Sequence, residues 1–211
     1  MAVDYQARIQ EEVEKAREFL SIRDEVRENA IKVSRDVIKY SGWAITEIHK
    51  GDLEKAGEYI SMLEDAARRF LELVKPYPEL YYSGMANNAL SEYVEAVVFY
   101  RIVRGEDIPG YEDLEIPPAP YLQGLGDVVG ELRRLALEEV RKDNFDKAWF
   151  YYSIMEAIYL SLRKLDLPEA LAPGVRHKAD VARRLTDDTK AFLIDLSSRK
   201  RLTDLLKEKL G

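Results

Sequence analysis

The chain predicts an all-α fold, a single-domain bundle of six or seven helices covering residues 1–211. Three observations predict it. Apolar residues recur in steps of three and four along most of the length, the spacing that lines one side of an α-helix. No alternating apolar and polar pattern runs beyond four residues, so no strand is expected. Proline and glycine, the strongest local breakers, gather at a few points between the periodic segments. A chain of 211 residues with 46% hydrophobic content can bury a substantial core, and no internal repeat or abrupt compositional shift marks a second domain.

Residues 1–50 contain no proline and only Gly42, and from Ile22 the apolar register runs through Val26, Ala30, Val33, Val37, Ala44 and Ile48. One long amphipathic helix, or two nearly collinear ones, is expected. His49, Lys50 and Gly51 form a helix stop, and Asp52 can cap a second helix to about Lys75. Pro76 and Pro78 break the chain before a third helix, from about Glu79 to Val103, which Gly105 ends. Residues 105–120, with four prolines and two glycines, read as a connecting loop. A fourth helix is expected from about Tyr121 to Lys142, a tight turn at Asp143 and Asn144, and a fifth helix from Phe145 to about Leu165. After Pro168, Pro173 and Gly174, a sixth helix is expected over about Val175 to Leu196, with a short seventh from Arg199 to Leu210.

Composition excludes several chemistries. The chain has no cysteine, which removes disulfides, thiolate catalysis and zinc–cysteine sites, and two histidines are too few for a histidine-rich metal centre. No apolar run approaches the roughly 18 residues of a membrane span, and the N-terminal stretch is too charged for a secretory signal, so a cytoplasmic protein without a membrane partner is expected. Charged residues make up 34%, a balance that fits a thermophile source. The net charge of −7 argues against nucleic-acid binding through bulk positive charge, though not against a focused basic surface.

Two acidic stretches stand out. Glu92 and Glu95 sit three apart among Leu90, Tyr93, Val94, Ala96, Val97, Val98 and Phe99; Asp127 and Glu131 sit four apart among Leu125, Val128, Val129, Leu132 and Leu135. Each spacing puts its pair on one side of a helix. Acids within such apolar segments need partners. A hard divalent cation with oxygen ligands would neutralise all four, and ion pairs to Arg101, Arg133 or Arg134 would do so without a metal. Gly124, Gly126 and Gly130 each weaken their helix by roughly 1 kcal/mol relative to alanine, which suggests close approach of another helix or of a ligand.

Other motifs fail. Gly124 and Gly126 begin a dinucleotide fingerprint, but Val129 fills the third glycine position and no strand precedes it. There is no nucleophile elbow and no phosphate-binding loop. Glu47 and His49 lack the spacing of a ferritin-like di-iron motif. The aromatics Trp149, Phe150, Tyr151, Tyr152 and Tyr159 read as core rather than as base-stacking platforms. The bases Arg176, His177, Lys178, Arg183, Arg184, Lys190, Arg199, Lys200 and Arg201 offer the best phosphate-contacting surface.

Ala89 to Val97, and Tyr121 to Arg134 with its glycines and acids, resemble the two signature segments of the translin and TRAX family, on the TRAX-like side and of an archaeal type. Similarity extends through Val33 to Ile38 and Asp143 to Leu165. The resemblance implies a seven-helix, translin-like protomer assembling into a hollow homo-oligomer, an octamer, around single- or double-stranded RNA. It implies that Glu92, Glu95, Asp127 and Glu131 form a metal-dependent endoribonuclease centre holding Mg²⁺ or Mn²⁺. Translin subunits carry a basic, histidine-containing segment where this chain has Ser83 to Asn88, so pairing with a translin-like partner stays open beside a shell of one chain. Arg134, Arg183, Arg184, Lys190, Arg199, Lys200 and Arg201 are the expected RNA contacts. Two alternatives stand beside this. An all-α nucleotide pyrophosphohydrolase also pairs acids on two helices, with a differently spaced second pair, and a non-catalytic RNA-binding scaffold would use its acids structurally.

Overall fold

The computed structural model describes residues 4–210; residues 1–3 and 211, which the expected domain includes, lie outside the described residues. The all-α expectation holds: the described residues form seven helices and no strand. They are α1 (Tyr5–Lys50), α2 (Leu53–Val74), α3 (Pro78–Tyr81), α4 (Gly84–Arg104), α5 (Pro118–Arg141), α6 (Phe145–Arg163) and α7 (Val175–Leu210).

The signals expected to end the helices do so. Gly51 and Gly105 adopt left-handed φ values of 83° and 71° after α1 and α4, which a side chain would disfavour. The Asp52 carboxylate accepts from the backbone N–H of Lys55, and the Asn144 side chain accepts from that of Lys147, capping α2 and α6. Where one long helix or two nearly collinear ones were expected, α1 is a single element over Tyr5–Lys50 that reaches about 70 Å at 1.5 Å per residue. Its buried residues begin only at Ala30, and Tyr5, Ile9, Val13 and Leu20 on the earlier turns are exposed.

Three boundaries differ from expectation. The helix expected from Glu79 to Val103 is two. Pro78 starts α3 at a position that needs no N–H, then Ser83 turns extended, its hydroxyl donates to Leu80 O, and it accepts from Ala86 N to begin α4. α5 begins at Pro118 rather than Tyr121, because prolines are tolerated in a first turn. α7 runs unbroken through Ser197 and Ser198, where two helices were expected. No proline or glycine interrupts it before Gly211, and Ser197 accepts a hydrogen bond from Trp149 Nε1 at 3.3 Å.

α4 is apolar on nearly every side and therefore central: Leu90, Val94, Val97, Val98 and Phe99 are fully or almost fully buried. It packs against α1, α2 and α5; α1 also lies along α2, and α5 carries α6 and α7 on its other sides. The α5–α6 corner is built around Glu139, a buried acid that meets Lys142 at 3.2 Å, Asn144 at 2.9 Å and Lys147 at 3.9 Å. Among the aromatics read as core, Tyr151, Tyr152 and Tyr159 are buried, Trp149 is half-buried and Phe150 is exposed. No helix among the described residues is long and apolar enough to cross a membrane.

Candidate functional site

The site lies on the α4–α5 seam. Gly124 makes that seam tight: a Cβ there would fall 2.6 Å from Ser91 O and 2.6 Å from Val94 Cβ, so only glycine allows the backbones so close. Gly126 serves α7 instead, because a Cβ there would lie 2.7 Å from Lys178 Cβ. Gly130 meets nothing within 4 Å, so the close approach expected of all three glycines holds for two.

Across this seam the four acids share one electrostatic neighbourhood. Glu95 is half-buried, and loss of water, followed by the negative charges of Asp127, Glu92 and Glu131, pushes its carboxyl up to about 8. Burial likewise raises Glu92 above the ordinary carboxylate range, helped by Asp127 and Glu131 and opposed by Lys178. The other buried acids of the fold are compensated differently: Glu47 meets Lys50 at 3.0 Å, and Glu139 has its lysines and Asn144. Among the described residues no cation lies within ion-pair distance of Glu92 or Glu95.

The arginine pairing that the sequence allows is absent here. Arg101 pairs with Glu106 at 2.7 Å, Arg134 is exposed, and the buried Nε of Arg133 has no hydrogen-bond partner. Two residues from distant parts of the chain meet the acids instead. His49, in the last turn of α1, packs against Phe99 with the rings tilted at 41° and their centroids 5.3 Å apart, and hydrogen-bonds Glu131 Oε2 through Nε2. Its side chain is 8% exposed. Lys178, in the first turn of α7, donates from Nζ to Asp127 Oδ1. In the sequence, His49 reads as part of a helix stop and of a rejected di-iron spacing, and Lys178 only as one of a basic run.

The donor set is all carboxylate oxygen plus one imidazole, and its charge is undercompensated, which suits a hard divalent cation. As the side chains stand, no three histidine, aspartate or glutamate groups among the described residues already converge into one coordination sphere. The protein's own donors hold the Asp127 and Glu131 carboxylates in place.

The expected RNA contacts divide into two sets. Arg134, Arg183, Arg184 and Arg201 are exposed and make no ion pair among the described residues. Lys190 pairs with Glu156 at 3.2 Å, Arg199 with Asp195 at 2.9 Å, and Lys200 with Asp143. His177, Arg183 and Arg184 border a shallow surface depression along with Asp180, Asp187 and Asp188.

Fold and seam together define a class: an all-helical protein whose central helix and its neighbour bring four carboxylates to one partly buried strip. The chain belongs to the translin family, whose profile matches residues 25–186. It is 30% identical over 192 residues to an uncharacterized protein of Methanocaldococcus jannaschii, covering 90% of this chain and 84% of that one. Among solved structures it resembles AfC3PO in complex with duplex RNA, at 33% identity and a TM-score of 0.82, over 89% of this chain and 97% of that one. It resembles a crystal structure of AfC3PO at 34% identity and a TM-score of 0.81, over 89% and 98%. Apo-NeC3PO is similar at 26% identity and a TM-score of 0.74, over 93% and 99%.

Proposed function

We propose that this protein is a metal-dependent endoribonuclease, the TRAX-like kind of translin-family chain, that binds and cleaves RNA within a hollow homo-oligomer, an octamer. The observation that carries the reading is that Glu92, Glu95, Asp127 and Glu131 lie within reach of one another's charge across the α4–α5 seam, where burial and mutual repulsion push Glu95 to about 8. Partly buried carboxylates left without a cation cost stability, so helix packing alone does not account for Glu92 and Glu95.

These four acids are the residues that would hold Mg²⁺ or Mn²⁺. Such an ion, when bound, lowers the pKa of water and offsets negative charge on a phosphodiester. His49 fixes the orientation of Glu131, and Lys178 that of Asp127. The likeness to AfC3PO with duplex RNA supports RNA as the substrate class. Arg134, Arg183, Arg184 and Arg201, free of ion pairs among the described residues, are the first phosphate contacts to test; Lys190, Arg199 and Lys200 would exchange an acidic partner for phosphate. Residues 1–211 form one domain, and the protein works in the cytoplasm. Translin membership lends no support to a pyrophosphohydrolase.

The deciding test is cleavage of end-labelled single- and double-stranded RNA in Mg²⁺, Mn²⁺ or EDTA, by the parent protein and by Glu95→Gln, with particle size from light scattering. Metal-dependent cleavage lost in the variant, from a particle of several protomers, is the expected result. RNA bound tightly but left intact by the parent protein in all three conditions would replace the nuclease with a sequestering scaffold.

A further inference from the structure

Among the described residues, Lys178 is the one lysine that enters the acid seam. It does so from the start of α7, and α5 makes room for it: Gly126 lacks the Cβ that would come within 2.7 Å of the Lys178 Cβ, so the stem crosses α5 there and the ammonium reaches Asp127 Oδ1. The same charge is felt by both α4 acids, Glu92 and Glu95, without coming within ion-pair distance of either. At 30% exposure the side chain still has an open side toward solvent.

The α5 acids are therefore each partly engaged. One oxygen of Asp127 accepts from Lys178, and one oxygen of Glu131 accepts from His49. Glu92 and Glu95 remain without a protein cation at ion-pair distance among the described residues. A small dication that keeps several of its waters needs only one or two carboxylates, which this leaves. A second dication close by would have to share the Asp127 neighbourhood with a fixed ammonium, at unfavourable like-charge cost.

Resting on the metal-dependent reading above, we infer that the Lys178 ammonium is a built-in second cation: the centre holds one divalent ion, and the lysine supplies the other positive charge and an N–H donor to the phosphate.

The test is Mn²⁺ titration of the full-length protein, followed by calorimetry and electron paramagnetic resonance, on the parent, Lys178→Met and Lys178→Arg. Methionine keeps an unbranched stem over Gly126, and melting curves check that each variant is folded. The parent and Lys178→Arg are expected to bind one Mn²⁺ per protomer with an uncoupled spectrum. Lys178→Met is expected to admit a second Mn²⁺ with an exchange-coupled signal, and to cleave RNA about 100-fold more slowly, the scale of losing one charge-stabilising donor. Two ions in the parent, or one ion at unchanged affinity in Lys178→Met, overturns the inference and leaves a metal-dependent nuclease intact. One ion in the parent and two in Lys178→Met, without RNA cleavage by the parent, overturns the nuclease and leaves the assignment of Lys178 as the second cation. No Mn²⁺ bound by the parent overturns both.

Discussion

Gly124 and Val94 meet so closely that a Cβ on the glycine would fall 2.6 Å from the valine Cβ. That approach sets the distance between α4 and α5, and hence between their two pairs of acids. Gly124→Ala is expected to destabilise the protein by about 2 kcal/mol, as overpacking of a filled interior does. Gly130→Ala, with open space around the new methyl group, is expected to stabilise by up to about 1 kcal/mol through helix propensity alone. Urea unfolding of the two variants checks both signs; equal effects would mean that the seam is looser than described.

The pH dependence of the metal-free protein follows from Glu95. Its carboxyl is raised in the folded state to about 8, so the folded chain binds this proton more tightly than the unfolded chain does. Stability from this group is complete below the unfolded value and is lost as pH climbs toward 8. The melting temperature of protein in EDTA is expected to fall by on the order of 5 °C from pH 5 to pH 8, given about 2–4 °C per kcal/mol at this size. Glu95→Gln should flatten that slope and melt higher than the parent at pH 8. A parent that instead gains stability over the same range would contradict the electrostatic description of the seam.

Removing His49 tests how Glu131 is held. His49→Ala takes away a buried hydrogen-bond donor and the ring packed on Phe99, and a loss of about 2 kcal/mol is expected. Under the proposed function the same change should weaken Mn²⁺ binding about 10-fold or more, as loss of a group orienting a ligand does. Calorimetry at fixed pH measures it; unchanged Mn²⁺ affinity would make His49 a packing residue only.

Helix ends were legible in the sequence because their causes are local. Gly51, Gly105, Asp52 and Asn144 each act within a turn of where they sit. The acids were legible too, since charges inside apolar helical runs are anomalous within their own segment. His49 and Lys178 were not. Their partners lie 82 and 51 residues away, and those meetings arise from how α1 and α7 pack, which no periodicity encodes. The split between α3 and α4 is hidden because Ser83 reads as an ordinary helix residue until its extended conformation is seen.

Salt dependence separates the two sets of bases. Replacing both Arg183 and Arg184 with alanine is expected to weaken RNA binding on every sequence and to lower the slope of log affinity against log salt by about 1 for each phosphate left without its arginine. Lys200→Ala, which removes a base already paired with Asp143, is expected to change the slope less. Fluorescence anisotropy from low to physiological salt reads both, and identical slopes for all proteins would remove Arg183 and Arg184 from the interface.

The acid seam draws side chains from α1, α4, α5 and α7, and the last of them to be synthesised is Lys178. A growing polypeptide has all four carboxylates and His49 outside the ribosome before the lysine that meets them emerges. The complete arrangement thus depends on α7, and a product truncated ahead of that helix lacks the Asp127 partner and cannot build it.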